Sequence, residues 1–365
     1  MQRPARSILL TACAACGGAG TDSPTAVRMR GECMGTTWSA VVTLQSGEAY
    51  GDVVQLIQDE LDAVDRALST WKDDSDLSRL NRSPAGEAVE VEPVTLDVLR
   101  LSGDIVETTG GAFDPTVGPL VQLWGFGAYD ETEETPSAEA IDAAHARVDW
   151  PAVEVGDGWV RRSRDDVEVD ASAIAKGHAV DLAAARLVES GHDEFLLEVG
   201  GELLVRGNNP DGVPWRVGVD DPLPPEGTDP VSPMGLAPRP PIARLGLTGG
   251  AVATSGDYRN VRRVGGRLVC HAIDPRSGEP IDHDLASATV VAPTCAAADA
   301  LATATLVLGP VDGLALLERI EGVEGYLLVR TGDPASPLEA RLTAGITDVL
   351  LDGPGSPGAA PPLGR

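Results

Sequence analysis

Apolar residues at Val53, Ile57, Leu61, Val64 and Leu68 recur at helical spacing and predict an amphipathic helix over 52–68, with Asp52 as its cap. Similar patterns predict helices over 95–109, stopped by Gly110-Gly111, and over 137–147, capped by Ser137. A longer helix is expected over 172–190, ended by Gly191. Thr294 caps another over 295–308, Gly309-Pro310 ends it, and a separate helix follows over 311–320. Strands are predicted at 35–43, 194–199, 203–205, 215–219, 242–247, 251–254, 326–330 and near Ala340. The stretch 220–241, crowded with Pro and acids, reads as an inserted surface loop. Residues 352–365 read as a disordered tail. Strands and helices mix without regular βαβ alternation. The predicted class is therefore α+β, one large domain with a mixed, mainly antiparallel sheet and flanking helices over 28–351.

A chain of 365 residues can bury a substantial core. Its net charge of −28, with no basic stripe, argues against a nucleic-acid partner but leaves room for a small phosphate ligand in a local pocket. No internal run of about 18 apolar residues stands out, so no transmembrane helix is predicted.

The N-terminus differs from the rest. Arg3 and Arg6 precede a short apolar run that ends in Leu10-Thr11-Ala12-Cys13, which has the form of a bacterial lipoprotein signal. Residues 1–13 are expected to be the signal, with Cys13 lipidated, and 14–27 a flexible tether. Cys16 lies in that tether. Cys33, Cys270 and Cys295 are scattered and indicate neither a disulfide framework nor a zinc site.

Several segments carry possible chemistry. Val169-Asp170-Ala171-Ser172-Ala173-Ile174-Ala175-Lys176 leads a β-branched run through small residues into a helix with one lysine in its first turns. Helix N–H groups and that lysine could face a phosphate, although such junctions are often Ala-rich for packing alone. Gly35, after Met34, would let a ligand lie against backbone, or simply mark a bulge. Trp71 sits in a polar loop, where it could stack on a flat ring or cover the helix end. Asp114, held extended before Pro115, could accept bonds from a ligand or form an Asx-turn. Asp299 and Thr303 are i, i+4 and share a helix face. A carboxylate and a hydroxyl make half of a hard-cation site, or else bond each other on a surface. His271 could act as a base near neutral pH. Beside it, Cys270 raises a nucleophilic-cysteine alternative, but neighbouring strand residues point to opposite faces.

In order along the chain stand Met34-Gly35-Thr36, Ser69-Thr70-Trp71 with Ser78-Arg79-Leu80-Asn81, and Phe113-Asp114-Pro115-Thr116-Val117-Gly118-Pro119-Leu120 with Trp124-Gly125-Phe126-Gly127. Then come Ser172-Ala173-Ile174-Ala175-Lys176-Gly177, Val199-Gly200-Gly201-Glu202, and Ala253 through Asn260. His271-x-Ile273-Asp274-Pro275-x-x-Gly278 and Ala298-Asp299-Ala300-Leu301-Ala302-Thr303 complete the series. Together these segments resemble the ApbE family of bacterial flavin transferases. The resemblance implies a T-fold-like α+β architecture and an Mg2+-dependent transfer of FMN from FAD to a Thr or Ser hydroxyl of a target protein, releasing AMP. By position, Met34, Trp71, Ala112, Phe113, Asp114, Asp170, Lys176 and Ile273 match family FAD contacts. Ala173 (through its carbonyl), Asp299 and Thr303 match the magnesium site. His271 and Lys176 match positions that assist the chemistry. Ala296 stands where the family often has an acidic or polar group, one turn before the metal aspartate. The resemblance also implies a lipid-anchored, extracytoplasmic protein on the periplasmic side of the membrane, with a membrane-associated redox protein as acceptor. A pyrophosphatase that splits FAD into FMN and AMP, and a non-catalytic flavin-binding lipoprotein, are the alternatives.

Overall fold

The computed structural model describes residues 25–126, 134–223, 231, 240–333 and 337–356. The expected signal with Cys13, most of the tether, part of the 220–241 loop and the end of the tail lie outside the described residues.

The chain opens with the hairpin β1 (Thr25–Cys33) and β2 (Thr36–Leu44), then α1 (Tyr50–Leu68), α2 (Asp76–Arg82), β3 (Val89–Glu90) and α3 (Pro93–Thr109). Next are α4 (Gly118–Leu123), α5 (Ala138–His145), β4 (Val153–Val155), β5 (Trp159–Arg162) and α6 (Ser172–Glu189). Five strands follow: β6 (Phe195–Val199), β7 (Glu202–Arg206), β8 (Trp215–Val219), β9 (Ala243–Leu247) and β10 (Gly249–Gly256). The hairpin β11 (Val261–Val264) and β12 (Arg267–Cys270) precedes β13 (Leu285–Ala292) and α7 (Cys295–Leu317). Strands β14 (Glu324–Arg330), β15 (Leu338–Leu342) and β16 (Leu350–Asp352) come last.

An eight-stranded sheet in the order β1-β2-β6-β7-β10-β13-β14-β15 is the centre of the molecule. Each of its neighbouring pairs is antiparallel. Period-two alternation gives the sheet two apolar faces. In β14, Leu327 and Val329 join the core under the helices, whereas Tyr326 and Leu328 face the other way. In β10, Ala251 and Ala253 take the helix side and Val252 the opposite one. Helices α1, α3, α6 and α7 cover the first face. A three-stranded sheet, β16-β9-β8, covers the second with Trp215, Val217 and Leu245.

Helices α6 and α7 cross where α6 carries Gly177. A Cβ there would lie 2.3 Å from the Cys295 carbonyl oxygen, so only glycine permits the approach. Asp181, one turn further along α6, accepts the Cys295 N–H at 2.7 Å and the Ala296 N–H at 2.9 Å. It satisfies two donors at the start of α7, and burial holds its carboxyl up at about 6 despite those bonds.

A second fastening lies beside the site. Arg162 is 1% exposed. Its guanidinium donates to the carbonyls of Leu80, Asn81, Ser83, Asp165 and Val167. This joins the end of α2 to the chain that enters α6.

Several local expectations need correction. Asp52 lies in the first turn of α1 and does not cap it; Ala49 holds the cap position without a side-chain bond. Ser137 and Thr294 do cap, accepting from Ala140 and Ala297 N–H. The break expected at Gly309-Pro310 is present: α7 is two helical segments joined at a kink, where Gly309 leaves helical geometry at φ 81° and ψ −178°. By length and apolarity α7 would also suit a membrane span, but it is mostly buried against α6, β10 and β13. Asp299, Pro310 and Asp312 hide that apolarity from a search for an unbroken run. Thr25 to Val27, assigned to the tether, belong to β1, paired with Leu44 to Val42. Asp352, assigned to the tail, pairs with Arg244 in β9. β1 pairs with its hairpin neighbour β2, whereas β16 owes its existence to β9, distant in sequence.

Candidate active site

The chain reaches α6 under tight local control. Asn81 donates its amide to the Val169 carbonyl at 2.9 Å and accepts the Val169 N–H at 2.8 Å. The Asp170 N–H donates to the Pro115 carbonyl at 2.8 Å, tying this extended segment to the Asp114 loop. Asp170 Oδ1 then accepts the Ser172 N–H at 2.8 Å and covers one free donor of the helix start. Ala173, half-buried, follows in the first turn.

One turn later Lys176 stands among acids. Its Nζ lies 3.8 Å from Asp299 Oδ2 on α7, 3.7 Å from Glu202 Oε2 on β7, and 3.5 Å from the Ser172 carbonyl. Asp299 is 4% exposed and also accepts the Gly177 N–H at 3.2 Å. Burial pushes its carboxyl up, and Lys176 opposes that. Burial and the Asp299 charge raise Glu202 to about 7, again against Lys176. For Lys176, burial disfavours the ammonium, but its two carboxylates win and hold its pKa up. On the same face of α7, Thr303 Oγ1 shares a 3.3 Å hydrogen bond with Ser255 on β10. Asp299 and Thr303 do not bond each other as a surface pair would; each turns to a neighbouring element.

Lys176 also lines a cavity of about 550 Å³, together with Met34, Gly35, Trp71, Asp170, Ser172 and Ala175. Met34 and Gly35 form the β1–β2 turn, and Met34 has a φ of 47°, a left-handed value unusual outside glycine. Such strain, stored at the rim of a cleft, is a cue to function. Trp71 is 76% exposed, so it fills no core. A larger cavity of about 700 Å³, lined by Asp181, Val188, Arg206 and Thr294, contains none of the candidate residues.

The remaining candidates lie in the loop joined to Asp170 through Pro115 and in the turn after β12. Ala112 and Phe113 are buried, and Ile273 is buried in a small core with Trp124. Asp114 forms an Asx-turn, its Oδ1 accepting the Thr116 N–H at 2.7 Å and the Thr116 hydroxyl at 2.6 Å. Burial still raises its carboxyl. Trp124 Nε1 donates to the Gly278 carbonyl at 2.9 Å and joins this loop to the turn after His271. Ala112, Phe113, Asp114 and Ile273 do not line the cavity. His271 lies edge-on to Phe126, ring centroids 6.4 Å apart, and its Nδ1 is buried with no hydrogen-bond partner. Burial lowers its pKa, and the charges of Arg259 and Lys176 add to the effect, which keeps the imidazole neutral. Cys270 is buried and its thiol is pushed up to about 11 by that burial, so it stays protonated and is no nucleophile.

Sequence reasoning left out two residues of this cluster, Glu202 and Ser255. Each lies inside one of the family motifs. The Gly200-Gly201 pair before Glu202 was the available signal, because two positive-φ glycines mark a turn built to aim the next side chain.

An α+β domain that sets a helix N-terminus, a lysine and a buried aspartate beside a cavity with an exposed tryptophan has the make-up of an enzyme acting on a nucleotide's phosphates. The sequence pattern of the ApbE family matches residues 34–327, and the chain belongs to that family. It is 37% identical over 331 residues to the FAD:protein FMN transferase of Klebsiella pneumoniae (strain 342), covering 89% of this chain and 91% of the relative. The enzyme of the same name from Escherichia coli (strain K12) is 36% identical over 309 residues, 84% of each chain. The solved flavin transferase ApbE from Vibrio cholerae superposes with a TM-score of 0.77 at 31% identity, covering 90% of this chain and 100% of that one. The apo form of Pseudomonas stutzeri flavinyl transferase ApbE gives a TM-score of 0.78 at 34% identity, covering 90% and 98%.

Proposed function

We infer that this chain is an FAD:protein FMN transferase, which takes FAD and moves its FMN portion to an acceptor protein. The observation that carries the reading is the position of Lys176, which lines the cavity on one side and meets Asp299 and Glu202 on the other. In the reaction proposed, a Thr or Ser hydroxyl of the acceptor attacks the FMN phosphorus. The new phosphoester bond forms as the bond to AMP breaks, and AMP leaves with the bridging oxygen. Lys176 and the N–H groups at the start of α6 face the pyrophosphate charge. Neutral His271 is suited to take the hydroxyl proton.

Among the described residues, no group of three or more His, Cys, Asp or Glu is arranged to hold a metal ion. The donors on offer are one buried carboxylate (Asp299), the Thr303 hydroxyl and the Ala173 carbonyl. All are oxygens, which suits magnesium, an ion that keeps waters and substrate phosphates for its other positions. Bound there, magnesium would neutralise charge building on the pyrophosphate. Ala296 adds no side-chain donor.

Mass spectrometry tests the reading. Protein, FAD, Mg2+ and a candidate acceptor should give an acceptor heavier by one FMN, with equimolar AMP. AMP released at full rate without acceptor would instead support the pyrophosphatase.

Trp71, so exposed, is proposed to stack on the flavin nucleotide. Stacking of bases on aromatic side chains in single-stranded nucleic acids is worth roughly 1–3 kcal/mol, and that scale is borrowed here. Trp71→Ala should weaken FAD binding by about one to two orders of magnitude. The melting temperature without FAD should not change. An early-melting variant with unaltered affinity would make Trp71 a packing residue.

The acceptor is proposed to be a membrane-associated redox protein, and the enzyme to be anchored beside it outside the cytoplasm through lipid on Cys13. Fatty-acid labelling should mark the protein and be lost in Cys13→Ser; an unlabelled cytosolic protein would refute the anchor.

A further inference from the structure

Glu202 opens β7 directly after the Gly200-Gly201 turn and is 6% exposed. It shares the strand parity of Leu204, which packs on the helix-side core, so it points under α6 and α7. Its Oε2 is buried without a hydrogen-bond partner, and the 3.7 Å to Lys176 is an ion pair beyond hydrogen-bonding reach. A Cβ on Gly200 would lie 3.4 Å from Lys176 Cδ, so the glycine turn packs against the lysine stem. The other cation acting on Glu202 is Arg259, which is engaged by Asp220 at 3.3 Å. A buried carboxylate with so little hydrogen bonding is costly to fold and adds nothing as filler. Such costs concentrate where function needs them.

The neighbourhood supplies the need. Lys176 and a divalent cation would compete for Asp299. A cation seated on that carboxylate repels the ammonium. With no second anchor, the ammonium either stays on Asp299 and weakens the metal site or swings away from the phosphates. We propose that Glu202 is a positioning residue: it draws the Lys176 ammonium off Asp299, frees that carboxylate for the cation, and keeps the lysine facing the pyrophosphate. This deepens the flavin-transfer reading and rests on it.

The test uses the full chain, with Mn2+ as a paramagnetic probe in the absence of flavin. Outer-shell groups typically change metal affinity 10–100-fold, so Glu202→Gln should weaken Mn2+ binding by at least about tenfold. In a Lys176→Met background, the same Glu202→Gln change should have little further effect, because no ammonium remains to be drawn away. At saturating FAD and Mg2+, Glu202→Gln should lower kcat for FMN transfer by about tenfold or more. The metal-free variant should melt no earlier than the parent, since a costly buried charge is gone. Equal weakening of Mn2+ binding in both backgrounds would make Glu202 a direct ligand and overturn the proposal. Unchanged Mn2+ affinity, or early melting with kcat per folded molecule intact, would overturn it as well. A parent protein that binds Mn2+ yet transfers no FMN would sink the flavin-transfer reading alone, because the Mn2+ titrations involve no flavin.

Discussion

Asp299→Asn should reduce FMN transfer by roughly 10²–10³-fold while leaving the protein folded. Asn keeps the shape and the bond from Gly177 N–H but removes the one carboxylate of the candidate cation site. The effect on stability should run the other way. Burial raises the Asp299 pKa, so the folded state holds its proton more tightly than the unfolded state does. Wild-type stability from this group is therefore fully present below the unfolded pKa and falls as pH rises through the folded value. In chelator, the variant should melt level with wild type in acid and somewhat above it at neutral pH. Melting curves across that range, with single-turnover rates in magnesium, are the measurement. Full activity in Asp299→Asn would remove the metal assignment. A variant that melts far below wild type at neutral pH would show that the Lys176 pair outweighs desolvation.

Arg162→Met should be the most destabilising single change near the site. Met keeps much of the apolar stem but leaves the carbonyls of Leu80, Asn81, Ser83, Asp165 and Val167 without their shared donor. Each buried group left unsatisfied costs about 1–3 kcal/mol, and these costs overlap. A total of about 4 kcal/mol lowers Tm by about 8 °C in a domain of this size. Activity should fall too, because Asn81 and Val169 aim Asp170 and the start of α6. Denaturant titration alongside FAD affinity would show both effects. A melting point within a degree or two of wild type would mean that water replaces the guanidinium at those carbonyls.

The parts of this protein legible in its sequence are those governed by neighbours along the chain. Gly110 ends α3 in the left-handed conformation, and Ser137 and Thr294 cap their helices through bonds three residues long. Local rules suffice there, because donor and acceptor are brought together by the helix itself. The i, i+4 spacing that puts Asp299 and Thr303 on one face of α7 is of the same kind. The class of fold followed from the order of such elements. β1 escaped notice because Met29 and Trp38 are buried only once the hairpin has closed and the helices have packed on it. β16 needed β9, distant in sequence, as a partner.

The sequence by itself determined several helix ends, the α+β class, and which side chains offer phosphate or hard-cation chemistry as candidates, because these depend on short-range backbone bonding and side-chain chemistry. Only the tertiary structure decided that Gly177 lets α6 and α7 cross, that Lys176 stands between Asp299 and Glu202, and that Cys270 is too deeply buried to ionise. Close approach of backbones, burial and the balance of charges are properties of packed neighbours, and no spacing along a single strand or helix encodes them.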